Sequence, residues 1–168
     1  CQPSGDNRKL MGDFTHVPIA SNSADYLVCL AALHHVDNMS AFFNETKRLL
    51  KVDGEFLIVD VPQYCQSAAF LDQFVDAHNS MGHRGAFIRP ATYQALLDTG
   101  FHVIHDERVN MRWHFDSQQQ MLDFCRGLFG LDLASDNQIM QGLQEYLDVE
   151  IEEHCSFAWT LCYIKVVK

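Results

Sequence analysis

The sequence contains no CxxC pair, no HExxH and no basic stripe, and no apolar run nears the roughly 18–20 residues of a membrane span. No basic, apolar, small-residue leader opens it, so no secretory signal is expected at its start. Lys and Arg number 12 against 22 Asp and Glu, a formal net charge of −10. Nucleic-acid binders concentrate positive charge to neutralise phosphates, so that class is set aside, and a small-molecule or protein partner suits the acidic balance better. There is no internal repeat, no low-complexity stretch and no linker that would divide the chain. Its opening on Cys1 rather than Met is expected of a processed product or an incomplete reading frame.

Apolar residues are plentiful: 48% of the 168 residues, among them 12 Phe, 5 Tyr and 2 Trp. That is enough to bury a real core in one soluble domain. Cys29 and Cys162 lie inside apolar runs, and the six cysteines read as free thiols in a reducing, cytoplasmic setting rather than as a disulfide framework.

Periodicity predicts alternating strands and helices. Arg8–Phe14 is read as a short strand, and Tyr26–Leu33 as a strand buried on both faces. A helix capped by Asp37 or Asn38 carries Phe42, Thr46, Leu49 and Leu50, with Gly54 as its C′ residue. Glu55–Val61 is a second buried strand. Helices follow through Phe70–Met81 and from Pro90 to Gly100, then a strand over Phe101–Val109. Two more helices, capped by Asp116 or Ser117 and by Ser135, precede a last strand, Phe157–Val167. The order implies an α/β fold with a parallel sheet covered by helices. Residues 1–168 form one domain, with a helical insertion at about 112–150.

One stretch has a specific pattern: Gly12-Asp13-Phe14, Val17-Pro18, Ser23-Ala24-Asp25-Tyr26, Leu33-His34-His35-Val36, Glu45, Arg48-Leu49-Leu50-Lys51 and Asp53-Gly54-Glu55-Phe56. It resembles the class I S-adenosylmethionine (SAM)-dependent methyltransferases of the ubiquinone/menaquinone-biosynthesis type, with Asp53 where that pattern has a glycine. The resemblance is strong over about 11–61 and beyond that rests on element order. It implies a Rossmann-like sheet of strand order 3-2-1-4-5-7-6 with strand 7 antiparallel. Equivalents of strands 3 to 7 are present. Nothing matches strands 1 and 2, so the GxGxG loop and the ribose-binding acid are expected to be absent and the domain N-terminally truncated. An open apolar edge on the strand 4 equivalent would then invite a homo-oligomer.

The resemblance also implies roles. Asp13 would accept from the adenine amino group and the Phe14 backbone would meet the ring, while Leu30 and Ala31 would border the methionine part of SAM, where such sheets bind ligands. His35 is the candidate general base, and Asp60, Tyr64 and Trp113 are candidates for acceptor contact. Arg84, Arg89, Arg112 and His114 are read as a solvated face before a pocket for an acidic acceptor. No metal is expected from His34-His35, because adjacent side chains diverge. The motif of amino-methyltransferases acting on nucleic-acid bases is missing after the first buried strand, so a small-molecule acceptor is the default expectation. Two other readings stay open: an inactive methyltransferase-fold fragment, and a self-associating or partner-binding module.

Overall fold

The computed structural model describes residues 12–168, and the expected strand at Arg8–Phe14 lies largely outside them. Its described end, Gly12–Phe14, is bend and turn rather than strand. Five strands form one sheet: β1 (Ala24–Leu30), β2 (Leu50–Asp60), β3 (His102–Phe115), β4 (Glu150–Ile151) and β5 (Cys155–Val167). The order is β1-β2-β5-β3, with the short β4 also on β5. β1 and β2 run parallel, with Val28 opposite Leu57 and Leu30 opposite Val59. β5 is antiparallel to both β2 and β3. A parallel sheet broken by one antiparallel strand inserted between its neighbours is the 4-5-7-6 half of the expected sheet.

Helices lie on both faces because β2 and β5 alternate two apolar sets. On one face Phe56, Ile58, Ile164 and Val166 pack with Phe43 of α1 (Met39–Leu49) and Leu96 of α4 (Pro90–Asp98). On the other, Val59 and Leu161 pack with a helical segment and two later helices. That segment runs from α2 (Gln66–Ala69) through a π-helical stretch (Phe70–Val75) to α3 (Asp76–His78). The later helices are α5 (Gln118–Phe129) and α6 (Asp136–Tyr146). Local chemistry sets the boundaries: Asn38, Ser117 and Ser135 accept N–H bonds as caps, and Pro90 occupies the first turn of α4. Gly100 ends α4 at φ +77°, where a side chain would be strained.

Three expectations are corrected. Gly54 does not cap α1: the helix passes directly into β2 at Leu50, and Gly54 lies within the strand. A Cβ there would stand 3.0 and 3.1 Å from the carbonyl oxygens of Ala24 and Asp25, so the close approach of β1 requires glycine. β1 is not buried on both faces. Leu27 and Cys29 join the core, but Tyr26, Val28 and Leu30 are exposed, because β1 is the edge of the described sheet and no described helix covers that side. Lastly, β3 runs on to Phe115, so Arg112, Trp113 and His114 are strand residues rather than part of an insertion.

The longer β3 shapes the site. Asp60 ends β2 opposite Cys162, which faces Arg108 on β3. From there the β3–β5 ladder continues from Val109–Leu161 to Phe115–Cys155. At about 3.4 Å per residue this ribbon projects roughly 20 Å past the carboxyl end of β2. α5 and α6 pack on it through Met121, Cys125, Ile139 and Leu143, with Phe157 and Trp159 beneath them.

Candidate functional site

At the carboxyl edge of β1 the chain turns sharply. Ala31 takes φ +46°, an uncommon conformation for a residue with a side chain, and its N–H donates to Val59 O at 2.8 Å. A 3-10 turn, Leu33–His35, follows at once and delivers two histidines over the end of β2. His34 is buried and His35 exposed.

Asp60, the last residue of β2, has no exposed surface. Its Oδ2 accepts from the His34 backbone N–H at 3.1 Å, and its Oδ1 accepts from the Val61 N–H at 2.7 Å. The same Oδ1 lies 2.7 Å from His34 Nδ1. A buried carboxylate with three polar neighbours is satisfied, and it reaches any ligand only through His34.

A third histidine arrives from the loop before α4. Ala86 N–H donates to His34 O at 2.8 Å, and Ile88 exchanges hydrogen bonds with Val61 and Gln63, so this loop is laced to the end of β2. His83 thereby sits with its ring centroid 5.4 Å from those of both His34 and His35. Burial and the neighbouring histidines push the His83 pKa down, against a smaller opposing effect of Asp72. The pKa of His35 is lowered too, by burial first and His34 second, with Asp60 opposing. Both rings are therefore neutral at pH 7.

The other candidates are spread around this edge. Asp13 is exposed in a turn, where its Oδ1 accepts from the Thr15 N–H at 2.8 Å and the Thr15 hydroxyl at 2.7 Å. Those bonds hold its carboxyl below the usual range. Phe14 and Leu30 are exposed. Tyr64 follows β2 at φ +61°, 89% exposed, on the rim of a shallow cleft of about 540 Å³ with Arg108, Tyr146 and Thr160. Trp113 is held among Phe124, Phe157 and Trp159, at centroid distances of 4.9, 5.5 and 5.7 Å. Arg112 is bound to Asp148 and Glu150. Arg89 lines a second cleft of about 580 Å³ with Tyr93, Asp106, Arg108 and Cys162.

The strongest sequence motif turns out to be a clamp. The Arg48 guanidinium grips the Glu45 carboxylate through two bonds, 2.8 and 2.7 Å. It also donates to the carbonyls of Val17 and Ile19, and the Val17 N–H donates to Glu45 at 2.7 Å. A bidentate pair of this kind is geometrically specific, and it pins the segment that follows Asp13 onto α1. The Arg48 bonds hold the Glu45 pKa at about 2.

Comparison with known proteins agrees with this geometry. Residues 2–58 match the model of a methyltransferase domain. The uncharacterised methyltransferase YcgJ of Bacillus subtilis is 34% identical over 70 residues, 42% of this chain and 27% of YcgJ. The YcgJ crystal structure aligns with TM-score 0.57 at 18% identity, over 94% of this chain and 69% of that one. The Bacillus halodurans protein BH2331, assigned as a methyltransferase, aligns with TM-score 0.63 at 20% identity, over the same shares of the two chains. Over residues 2–58 the chain is thus similar to methyltransferase domains, and its fold is the one these methyltransferase structures share. The geranyl diphosphate C-methyltransferase of Streptomyces coelicolor A3(2), solved with Mg2+, geranyl diphosphate and S-adenosyl-L-homocysteine, aligns at TM-score 0.51 and 15% identity, over 95% of this chain and 53% of that one. The chain spans 27% and 24% of the length of two curated relatives it matches. No described helix is long and apolar enough to cross a membrane.

Proposed function

We propose that this chain supports SAM-dependent methyl transfer to a small-molecule acceptor, in the manner of the ubiquinone/menaquinone-type enzymes. The observation that carries the reading is the meeting of Ala31, His35 and the β2 terminus at the carboxyl edge of a parallel strand pair, where α/β sheets of this design take ligands. When bound, SAM supplies a methyl group already activated on a sulfonium. The residues present fit its adenine end: Asp13 Oδ1 is held by Thr15, which orients the carboxylate for a donor. Leu30 and Ala31 would border its methionine end.

The chain's own part is to orient the acceptor, exclude water and take up a proton. His35 is exposed and neutral at pH 7, so it can accept the acceptor's proton as its O, N, C or S atom gains the methyl group. Asp60 fixes the ring next to it, and Tyr64 and Trp113 would meet the acceptor on the side of the β3–β5 ribbon. Calorimetric titration with SAM and with S-adenosylhomocysteine tests the reading. Saturable heat lost in Asp13→Ala is expected, and the absence of heat with either ligand would overturn it.

A second reading is favoured by one observation. β1 pairs only with β2 among the described residues, and Tyr26, Val28 and Leu30 stand exposed beside its free edge. A second copy of the chain pairing there would give a homo-oligomer without any transfer activity. Analytical ultracentrifugation decides it: self-association abolished by Val28→Lys is expected, and a strict monomer counts against it. The cytoplasm is the proposed compartment.

A further inference from the structure

One ring nitrogen of each of His34, His35 and His83 lies within 4.8 Å of the other two. The rings of His34 and His35 are 4.0 Å apart between centroids, so the two neighbours do not diverge here. The 3-10 turn brings them together, and the loop through Ala86 adds His83.

Two of the three imidazoles have a carboxylate behind them. His34 Nδ1 is 2.7 Å from Asp60 Oδ1, and His83 Nδ1 is 3.7 Å from Asp72 Oδ1. A carboxylate on one ring nitrogen fixes the tautomer and leaves the other lone pair free, which is the arrangement found behind metal-ligating histidines. The His83 side chain is only 10% exposed, yet its Nδ1 makes no hydrogen bond. Buried nitrogens without partners are rare and costly. Ligation at Nε2 would place the N–H on Nδ1 and let it close on Asp72.

We propose that His34, His35 and His83 bind one divalent transition-metal ion of the Zn2+ kind, leaving a fourth position open to an oxygen of a small hydroxylated or anionic ligand. Three imidazole ligands select this class over Mg2+ or Ca2+, which take oxygen ligands. A tetrahedral ion with Zn–N bonds of about 2.0–2.1 Å needs nitrogens roughly 3.3 Å apart. The exposed His35 has the freedom to close that distance, and its side of the site supplies the open position. With the ion bound, His35 is a ligand, and ionisation of a bound oxygen falls to the metal charge. The inference does not depend on methyl transfer, since its readout is binding alone.

The test uses the full, untagged chain stripped with chelator and titrated with ZnCl2 by calorimetry. Binding of one equivalent is expected, weakened more than about tenfold in His83→Ala and in the fold-neutral His35→Ala. It should be unchanged in His105→Ala, a surface histidine on β3. Co2+ in place of Zn2+ should give the visible bands of a four-coordinate site, lost in His83→Ala. Absence of stoichiometric binding, or binding that survives both His35→Ala and His83→Ala, would overturn the proposal.

Discussion

Asp60 offers the sharpest test of how the site is held. Its carboxylate takes the His34 N–H, the Val61 N–H and the His34 ring, in a place with no solvent. Asp60→Ala leaves two backbone donors and one ring nitrogen without that partner. Each buried group left unsatisfied costs about 1–3 kcal/mol, so a loss of about 3–5 kcal/mol is expected after partial relaxation. Asp60→Asn keeps one acceptor oxygen, which can serve two donors, but turns an NH2 toward the third. Its cost should be about 1–3 kcal/mol. For a chain of this size 1 kcal/mol moves Tm by about 2–4 °C, so the alanine variant should melt about 6–20 °C below the parent, and the asparagine variant should fall between. Urea and thermal melts followed by circular dichroism measure both. The reasoning fails if Asp60→Ala is as stable as the parent, which is what a carboxylate serving only a ligand would show.

Three further outcomes follow from packing and charge. A Cβ on Gly142 of α6 would stand 2.4–2.7 Å from three ring atoms of Phe74, itself stacked on Phe70. The overpacking, about 1–3 kcal/mol, outweighs the gain of up to about 1 kcal/mol in helix propensity, so Gly142→Ala should lower the urea midpoint and adding Phe74→Leu should restore it. The Glu45 pKa is depressed, so its contribution is fully present above its ordinary value near 4.5 and is lost as pH falls through about 2. Glu45→Gln should therefore be less stable than the parent at pH 7, with the gap closing toward pH 2; a pH-independent gap in thermal melts would refute this. Ser135→Ala removes the hydroxyl that caps α6 by accepting from the Gln138 N–H and that donates to Gln138 Oε1, leaving the Ser135 backbone N–H bond to the same oxygen, and should cost about 1 kcal/mol by urea melt.

The parallel pair β1–β2 and its crossover helix were legible because each signal was local: an apolar run, an asparagine cap, a helical apolar stripe, a second apolar run. The boundary at Gly54 misled for a physical reason. A glycine after a helix ordinarily marks its C′ position, but here the backbone of Ala24 and Asp25 comes too close for any side chain, and that approach is set by a strand far back in the chain. The reach of β3 to Phe115 was signalled by Val109, Met111, Trp113 and Phe115 alternating with Asn110, Arg112 and His114, but before that alternation the polar run Asp106-Glu107-Arg108 interrupts the apolar pattern. Only the ladder with β5 carries them as strand. In the site, His34-His35 stood out while His83 did not, since a lone histidine in a Gly-rich loop carries no signal until hydrogen bonds from Ala86 and Ile88 tie that loop to β2. The role of Asp60 was hidden in the same way: whether a carboxylate at a strand end faces solvent or a backbone N–H depends on the turn after a different strand.

The residues with the most recognisable pattern and the residues with the chemistry are therefore different sets joined by one frame. Glu45, Arg48 and Gly54 serve to hold the Val17–Ile19 segment and β1 against α1 and β2, which fixes where β1 ends. The end of β1 in turn sets where the 3-10 turn drops His34 and His35. Past that edge the sheet is lopsided. The β3–β5 ribbon and its two helices rise beyond the end of β2 on one side, and β1 leaves the other side open with Tyr26, Val28 and Leu30 uncovered. The histidine cluster draws on both apolar cores: Leu33 packs in the one beneath α1, while Phe87, its ring 5.9 Å from that of His34 and 6.3 Å from that of His83, packs in the other with Met121 and Leu122 of α5, so a change in α5 that shifts Phe87 reaches the histidines.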